Sequence, residues 1–164
     1  MSVDGQIFRE AMARLGAAVT VVTTGTRENP VGFTASAVCS VTDDPPTLLV
    51  CLKRSSRARA AFHEGSPMCV NVLASAQQEL SNRFAGPLEN IERFAAGHWT
   101  TLATGAPALE EAVSSIDCIL DRIVEVGTHS VLFGKVQTIR MGNPAAALVY
   151  FNRAYHHLPH ADLT

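Results

Sequence analysis

Charge is scarce in this chain. Acidic and basic side chains make up only 17% of the 164 residues and nearly cancel, leaving a formal net charge of -2. Such a balance provides no field to draw in a polyanion, so nucleic acid is not an expected partner. Glycine spacing is equally restrictive. None of the eleven glycines is followed two positions later by another, so there is no G-x-G-x-x-G dinucleotide loop, and no G-x-x-x-x-G-K-[ST] phosphate loop occurs either. H-E-x-x-H and G-x-S-x-G are also missing, which removes the common zinc-protease and serine-hydrolase signatures. The four cysteines, Cys39, Cys51, Cys69 and Cys118, form no C-x-x-C pair and sit in apolar, strand-like contexts, so buried reduced thiols are expected rather than disulfides or zinc ligands. No apolar run reaches the roughly 18 residues of a membrane span. Met1 to Gln6 lacks the basic start and apolar core of a signal peptide, and the expected location is the cytoplasm, with no membrane partner.

What the chain has is apolar mass: 47% of its residues are hydrophobic. Its length suits one domain, residues 1–164, and the low charge predicts an apolar surface patch of the kind a homodimer covers. Ile7, Phe8, Ala11, Met12 and Leu15 recur at helical spacing before Gly16, predicting an opening helix. β-Branched Ala17 to Thr24, a turn through Gly25 to Pro30 and the next strand read as a hairpin. Thr47 to Leu52 predicts a third strand, Ser55 to His63 a short helix and Met68 to Leu73 a fourth strand. Ser75 with Gln78 resembles a helix start, ended by Gly86. Pro87 to Pro107 reads as a mobile loop. Ile116 to Val126 alternates apolar residues with Asp117, Asp121 and Glu125, predicting a half-buried strand, and Ser130 to Ile139 and Ala147 to Phe151 predict two more. His156, His157 and His160 read as a solvated tail frayed near Asp162, not a metal site. About seven strands, few helices and no βα alternation favour a mainly β fold, a closed antiparallel barrel.

One segment, Thr34 to Arg57, carries chemistry that a flavin could use. Thr34 and Ser36 fall on one face of a strand by period-two alternation, Ala35 leaves the backbone accessible between them, and Ser40 continues the face. After Pro45-Pro46, Ser55 and Ser56 stand at an expected helix N-terminus beside Arg57, where an anion is favoured. An ordinary edge strand rich in Ser and Thr, with a capping serine, explains the same residues equally well.

Thr34-Ala35-Ser36, Ser40-Val41, Asp44-Pro45-Pro46, Ser55-Ser56-Arg57, Val70-Asn71-Val72-Leu73, Arg83-Phe84-Ala85, Gly127-Thr128-His129 and Asn152-Arg153-Ala154-Tyr155-His156 follow one another across nearly the whole chain. In that order and spacing the set resembles the short-chain flavin reductases, the reductase components of two-component flavin monooxygenases, foremost those of pyrimidine degradation and of hydroxyphenylacetate oxidation. The resemblance implies a homodimeric split β-barrel that binds FMN or FAD, oxidises NADH or NADPH and passes reduced flavin to a separate monooxygenase. It implies that Thr34, Ala35, Ser36 and Ser40 line the flavin ring, with backbone at Cys51 and Leu52, and that Ser55, Ser56 and Arg57 hold phosphate. Asn71 would reach the flavin or order its strand, and Arg83 and Phe84 would meet an adenylate half or a second dimer contact. His129 would stand at the nicotinamide as the catalytic residue, with Arg153 and Tyr155 closing that pocket. The chain departs from the commoner Gly-Asp-His of the family at Gly127-Thr128-His129, so the carboxylate that could orient the histidine is replaced by a hydroxyl. A strand-capping role is the plain alternative for His129. Two rival functions share the expected barrel: a non-catalytic flavin-binding protein, and a pyridoxine-phosphate oxidase-like enzyme, which the scatter of Arg83, Arg93 and Arg122 disfavours.

Overall fold

The computed structural model describes residues 2–161. Asp4 caps the opening helix α1 (Gly5–Ala13) by accepting from the Gln6 N–H, at 2.9 Å, and Gly16 follows its end. The expected apolar stripe is there, but none of it is buried among the described residues: Ile7, Phe8, Met12 and Leu15 are all exposed.

Seven strands form one antiparallel sheet: β2 (Thr20–Gly25), β3 (Pro30–Ala35), β4 (Val38–Asp43), β5 (Pro46–Lys53), β6 (Pro67–Val72), β9 (Ser114–Val126) and β10 (His129–Met141). Their order is β3-β2-β6-β9-β10-β5-β4. The short β1 (Ala17–Ala18) joins β11 (Ala147–Phe151) and β12 (Ala154–Leu158) in a three-stranded sheet, and β7 (Trp99–Thr101) pairs β8 (Pro107–Leu109). The helices are α2 (Gln78–Ala85) and the single turn α3 (Asn90–Arg93). The large sheet curls around Val22, Phe33, Val50, Leu52, Phe62, Met68, Val70, Leu120 and Leu132. A second core of Val19, Val21, Leu73, Leu80, Phe84, Leu109 and Leu148 lies on its other side. Sandwiched between the two, β2 buries both its faces, which explains its unbroken β-branched run. Its hydroxyls find backbone acceptors, as when Thr20 Oγ1 donates to Ala35 O at 2.8 Å.

Several expectations are corrected here. The hydrogen-bonded ladder does not close among the described residues. Instead the chain itself crosses from edge strand β3 to edge strand β4 through Ser36 and Ala37. That crossing breaks the strand expected to carry Thr34, Ser36 and Ser40 on one face. Ser40 belongs to β4, opposite Leu48. Ser55 to His63 is a series of turns with one 3-10 turn at Arg59–Ala61, so no α-helix N-terminus forms at Ser55. The expected helix start at Ser75 is a 3-10 turn, Ser75–Gln77, opened by the Ala74 N–H donating to Gln77 Oε1 at 2.8 Å, and α2 itself begins at Gln78. Residues 87–107 contain α3 and β7, anchored by Trp99, which packs against Phe94 with ring centroids 4.8 Å apart. Asp117, expected to face solvent, is fully buried under the loop before β8, where it accepts from Thr104 N and Oγ1 at 2.8 and 2.5 Å. The long β9–β10 ladder shifts register twice, which undoes simple alternation. The expected tail is strand β12, with His157 Nε2 3.0 Å from Gln78 Oε1; Asp162 lies outside the described residues. Cys69 and Cys118 are buried free thiols as expected, Cys51 is half-buried, and Cys39 is exposed on β4.

Candidate functional site at the strand crossing

Where the chain crosses between sheet edges it leaves a cleft of about 440 Å³, within the range of small-molecule sites. Phe33, Thr34, Ala35, Ser36 and Ala37 form one wall, Cys51, Leu52 and Lys53 of β5 the facing one, and Ser56, Phe84, Ala85, Arg93 and His129 close its ends. The Cys51 N–H donates to Ala37 O at 3.0 Å, which pins the crossing segment to β5. Partial burial pushes the Cys51 thiol above its usual pKa, so it stays a neutral apolar surface. Phe84 is 1% exposed and rests edge-on against Phe94, giving the cleft a rigid aromatic base. Gly32 permits this, because a Cβ there would come within 2.8 Å of the Phe84 ring.

His129 begins β10 after a two-residue hairpin loop in which Gly127 takes φ 56°. Its Nδ1 lies 2.9 Å from Thr128 Oγ1. Unlike a carboxylate, that hydroxyl can serve either neutral tautomer of the ring. The loop is held from outside the cleft: Arg54 donates its backbone N–H to Thr128 O at 2.9 Å and Nη1 to Gly127 O at 3.2 Å, and Glu125 pairs with Arg54 and Arg59. Hydrogen bonds from Arg59 and then Ser130 hold the Glu125 carboxyl below its ordinary range.

Beyond Arg93 the cleft continues into two adjoining depressions. One is lined by Ser56, Arg57, Ala85, Gly86 and Pro87, the next by Arg57, Leu88, Glu89 and Asn90. Arg93 staples this strap, residues 86–93, by donating to Leu88 O, Gly32 O and Gly86 O at 2.9, 2.7 and 2.6 Å. Burial, and secondarily the nearby positive Arg57, lower the Arg93 pKa, while Glu89 opposes that. Arg57 donates Nη2 to Pro87 O and Leu88 O and pairs through Nη1 with Glu89 at 2.5 Å.

The structure thus gathers Thr34, Ala35, Ser36, Cys51, Leu52, Ser56, Phe84 and His129 at one cleft, with Arg57 in the adjoining depressions. Thr34 Oγ1 is committed to Ser81 O at 2.6 Å, which ties β3 to α2. Ser55 is exposed in the turn outside the lining, and Ser40 lies out on β4. Asn71 is wholly buried. Its Nδ2 donates to Val21 O while Oδ1 accepts from Leu109 N and Ser115 Oγ, so it orders strands and touches no cleft. Arg83 donates to Glu92 O and links α2 to the strap. Arg153 sits at φ 61° in the exposed β11–β12 turn, and Tyr155 hydrogen-bonds Ser81 Oγ at 2.7 Å within the second core, so within one chain neither joins His129. Sequence reasoning missed Lys53 and Arg93. Arg93 lies 61 residues from Gly32, whose carbonyl it caps, and nothing in local pattern signals that partnership.

The residues fit a flavin in kind. Ala35, Leu52 and Phe84 offer an apolar floor, the crossing segment offers backbone outside the ladders, and the Arg57 end offers positive charge. Comparison with known proteins agrees. Residues 12–159 match the family model described as flavin reductase like domain. The FMN reductase (NADH) RutF of Ancylobacter novellus is 54% identical over 155 residues, covering 94% of this chain and 86% of its own length. A Haemophilus somnus 129pt protein assigned as a flavin reductase superposes with a TM-score of 0.91 at 48% identity, covering 95% of this chain and all of its own. BorF, the flavin reductase component of a bacterial two-component tryptophan halogenase, superposes with a TM-score of 0.87 at 31% identity, covering 95% of this chain and 99% of its own.

Proposed function

Because the chain belongs to the flavin reductase like family, we propose that it is an NADH-dependent FMN reductase that hands reduced flavin to a separate monooxygenase. The observation that carries this reading is the cleft at the β3–β4 crossing, apolar at one end and flanked by Arg57 and Arg93 at the other. A flavin held here would supply the redox chemistry as the acceptor of the nicotinamide hydride. The side chains have little proton chemistry to do, and their work is placement. Phe84, Ala35 and Leu52 exclude water from the ring floor, Ser36 and the Ala37 backbone meet its polar edge, and Ser56 and Arg57 take the phosphate. His129, on its braced hairpin, orients the nicotinamide at the open mouth beside Lys53.

FMN and NADH are the preferred pair because the RutF relative is named for them; FAD and NADPH are the alternatives. We further read the curled sheet with its bridged edges as a split barrel and the active form as a homodimer, since α1 leaves its apolar Ile7, Phe8 and Met12 exposed. In such a dimer Arg153 and Tyr155 would have to reach His129 from the partner subunit. The cytoplasm is the proposed location, and among the described residues no helix is long and apolar enough to cross a membrane. Steady-state NADH oxidation followed at the nicotinamide absorbance, with FMN, FAD, NADH and NADPH in all four pairings, tests the proposal. The fastest turnover is expected with FMN and NADH, and flavin binding without turnover in any pairing would make the protein a flavin carrier instead.

A further inference from the structure

Arg57 lines both depressions that continue the cleft, and it already faces an anion. Glu89 Oε1 lies 2.5 Å from its Nη1. Glu89 is the N-cap of the single turn α3, and the strap has holds besides this pair. Pro87 and Leu88 carbonyls accept from Arg57 Nη2, Gly86 and Leu88 carbonyls accept from Arg93, and the Glu89 N–H donates to Glu92 Oε2 at 3.0 Å. The two charged side chains are 59% and 70% exposed, and a solvated pair of this kind adds little stability. Whatever it adds to the strap, a carboxylate held there has an electrostatic effect. It lowers the positive potential that an incoming dianion meets at Arg57 and, more weakly, at Arg93, whose proton affinity Glu89 raises.

We propose that Glu89 is a competitor for the flavin phosphate: its carboxylate and the phosphate monoester contend for the Arg57 guanidinium, so that Glu89 sets how loosely the phosphorylated flavin is held. This rests on reading the cleft as a flavin site. It assigns Glu89 a role in specificity, because only ligands bearing a phosphate feel the competition and riboflavin does not. Loose holding suits a protein whose product must leave for another enzyme.

The test compares dissociation constants for FMN and for riboflavin, by flavin fluorescence, in the wild-type chain, Glu89→Gln, Arg57→Ala and the double variant. Glu89→Gln keeps the side chain's shape and the backbone bonds of the strap. It is expected to tighten FMN by about threefold to tenfold and slow FMN release by a similar factor, with riboflavin unchanged. The gain is expected to shrink at 0.5 M salt, an ionic strength chosen to contract the screening length to about 4 Å, and to be smaller in the Arg57→Ala background. Unchanged FMN affinity in Glu89→Gln, or equal tightening of riboflavin, overturns the inference. If Arg57→Ala weakens FMN while Glu89→Gln does nothing, the competition falls and the flavin site stands. If the wild-type chain binds FMN but neither variant alters it, the phosphate lies elsewhere and both readings fall.

Discussion

At the scale of the residue, the cleft depends on side chains whose partners are far away in the chain. His129 is expected to work by orientation, so His129→Ala should lower kcat/KM for NADH by about tenfold, or ~1.4 kcal/mol, with the FMN dissociation constant nearly unchanged. His129→Asn, which keeps a donor, should recover part of the rate, as steady-state kinetics with NADH as the varied substrate will show. A wild-type rate in both variants would reduce His129 to a strand cap. Gly32 makes the opposite kind of prediction. A methyl there meets the Phe84 ring at 2.8 Å and the Phe94 ring at 3.2 Å, so Gly32→Ala should cost about 1–3 kcal/mol in urea unfolding and displace the cleft floor, weakening riboflavin and FMN alike. Among single residues, Thr34, Ala35, Ser36 and His129 could be grouped from the sequence because short motifs place them, and the folded chain sets all four on one cleft. Asn71 stayed open between reaching a flavin and ordering its strand, because its amide works through a carbonyl of β2, an N–H of β8 and a hydroxyl of β9.

At the scale of the element, the segment from Gly86 to Glu111 decides how the cleft is finished. Arg93→Ala removes three donors to the Leu88, Gly32 and Gly86 carbonyls. It should cost about 2–3 kcal/mol and open residues 86–97 to limited proteolysis while the β-sheet core stays protected. A second clasp lies at the far end, where His98 Nδ1 contacts Glu111 Oε1 just before β7 and just after β8. The hydrogen bond to Glu111 and that carboxylate's charge raise the His98 pKa. Burial is the largest single influence on the Glu111 carboxyl and pulls its pKa up, but the hydrogen bond from His98, two backbone hydrogen bonds and the His98 charge together bring the net direction down. A raised histidine pKa gives stability that is complete below its unfolded value of about 6.5 and is lost as pH climbs through the folded value. A lowered glutamate pKa gives stability present above about 4.5 and lost on acidification. Hydrogen exchange of the β7–β8 amides should therefore be slowest between these limits and quicken above neutrality more than base catalysis of exchange explains, and His98→Gln should abolish that excess. Sequence pattern suggested a mobile loop here because three-residue strands and a one-turn helix carry no period long enough to detect, and Trp99 finds Phe84 and Phe94 only after folding.

At the scale of the whole molecule, the stripe of α1 leaves Ile7, Phe8, Met12 and Leu15 exposed on one element. If it is the dimer contact, the double change Ile7→Glu with Phe8→Glu should yield a soluble monomer by light scattering, with the curled sheet intact by far-UV circular dichroism. A variant that still sediments as a dimer would put the interface elsewhere, for instance at the exposed Val126, Ile139 and Met141 of the β9–β10 ladder. Composition and β-branched runs by themselves determined that the chain is mainly β, that α1 is amphipathic, and that no Rossmann or P-loop frame is present, because these follow from local period and from residue spacing. The ordered motifs also carried the family. Tertiary structure alone decided that the sheet edges are bridged by Ser36 and Ala37 instead of closed by a ladder, that Asp117 turns inward, that Arg93 belongs to the cleft, and that Arg57 faces Glu89. Each of these depends on which groups meet across 13 to 61 residues of chain once the sheet curls. A pattern read along the backbone reports periodicity between neighbours, whereas hydrogen bonds and charge pairs between distant segments are set by the register and curvature of the folded sheet.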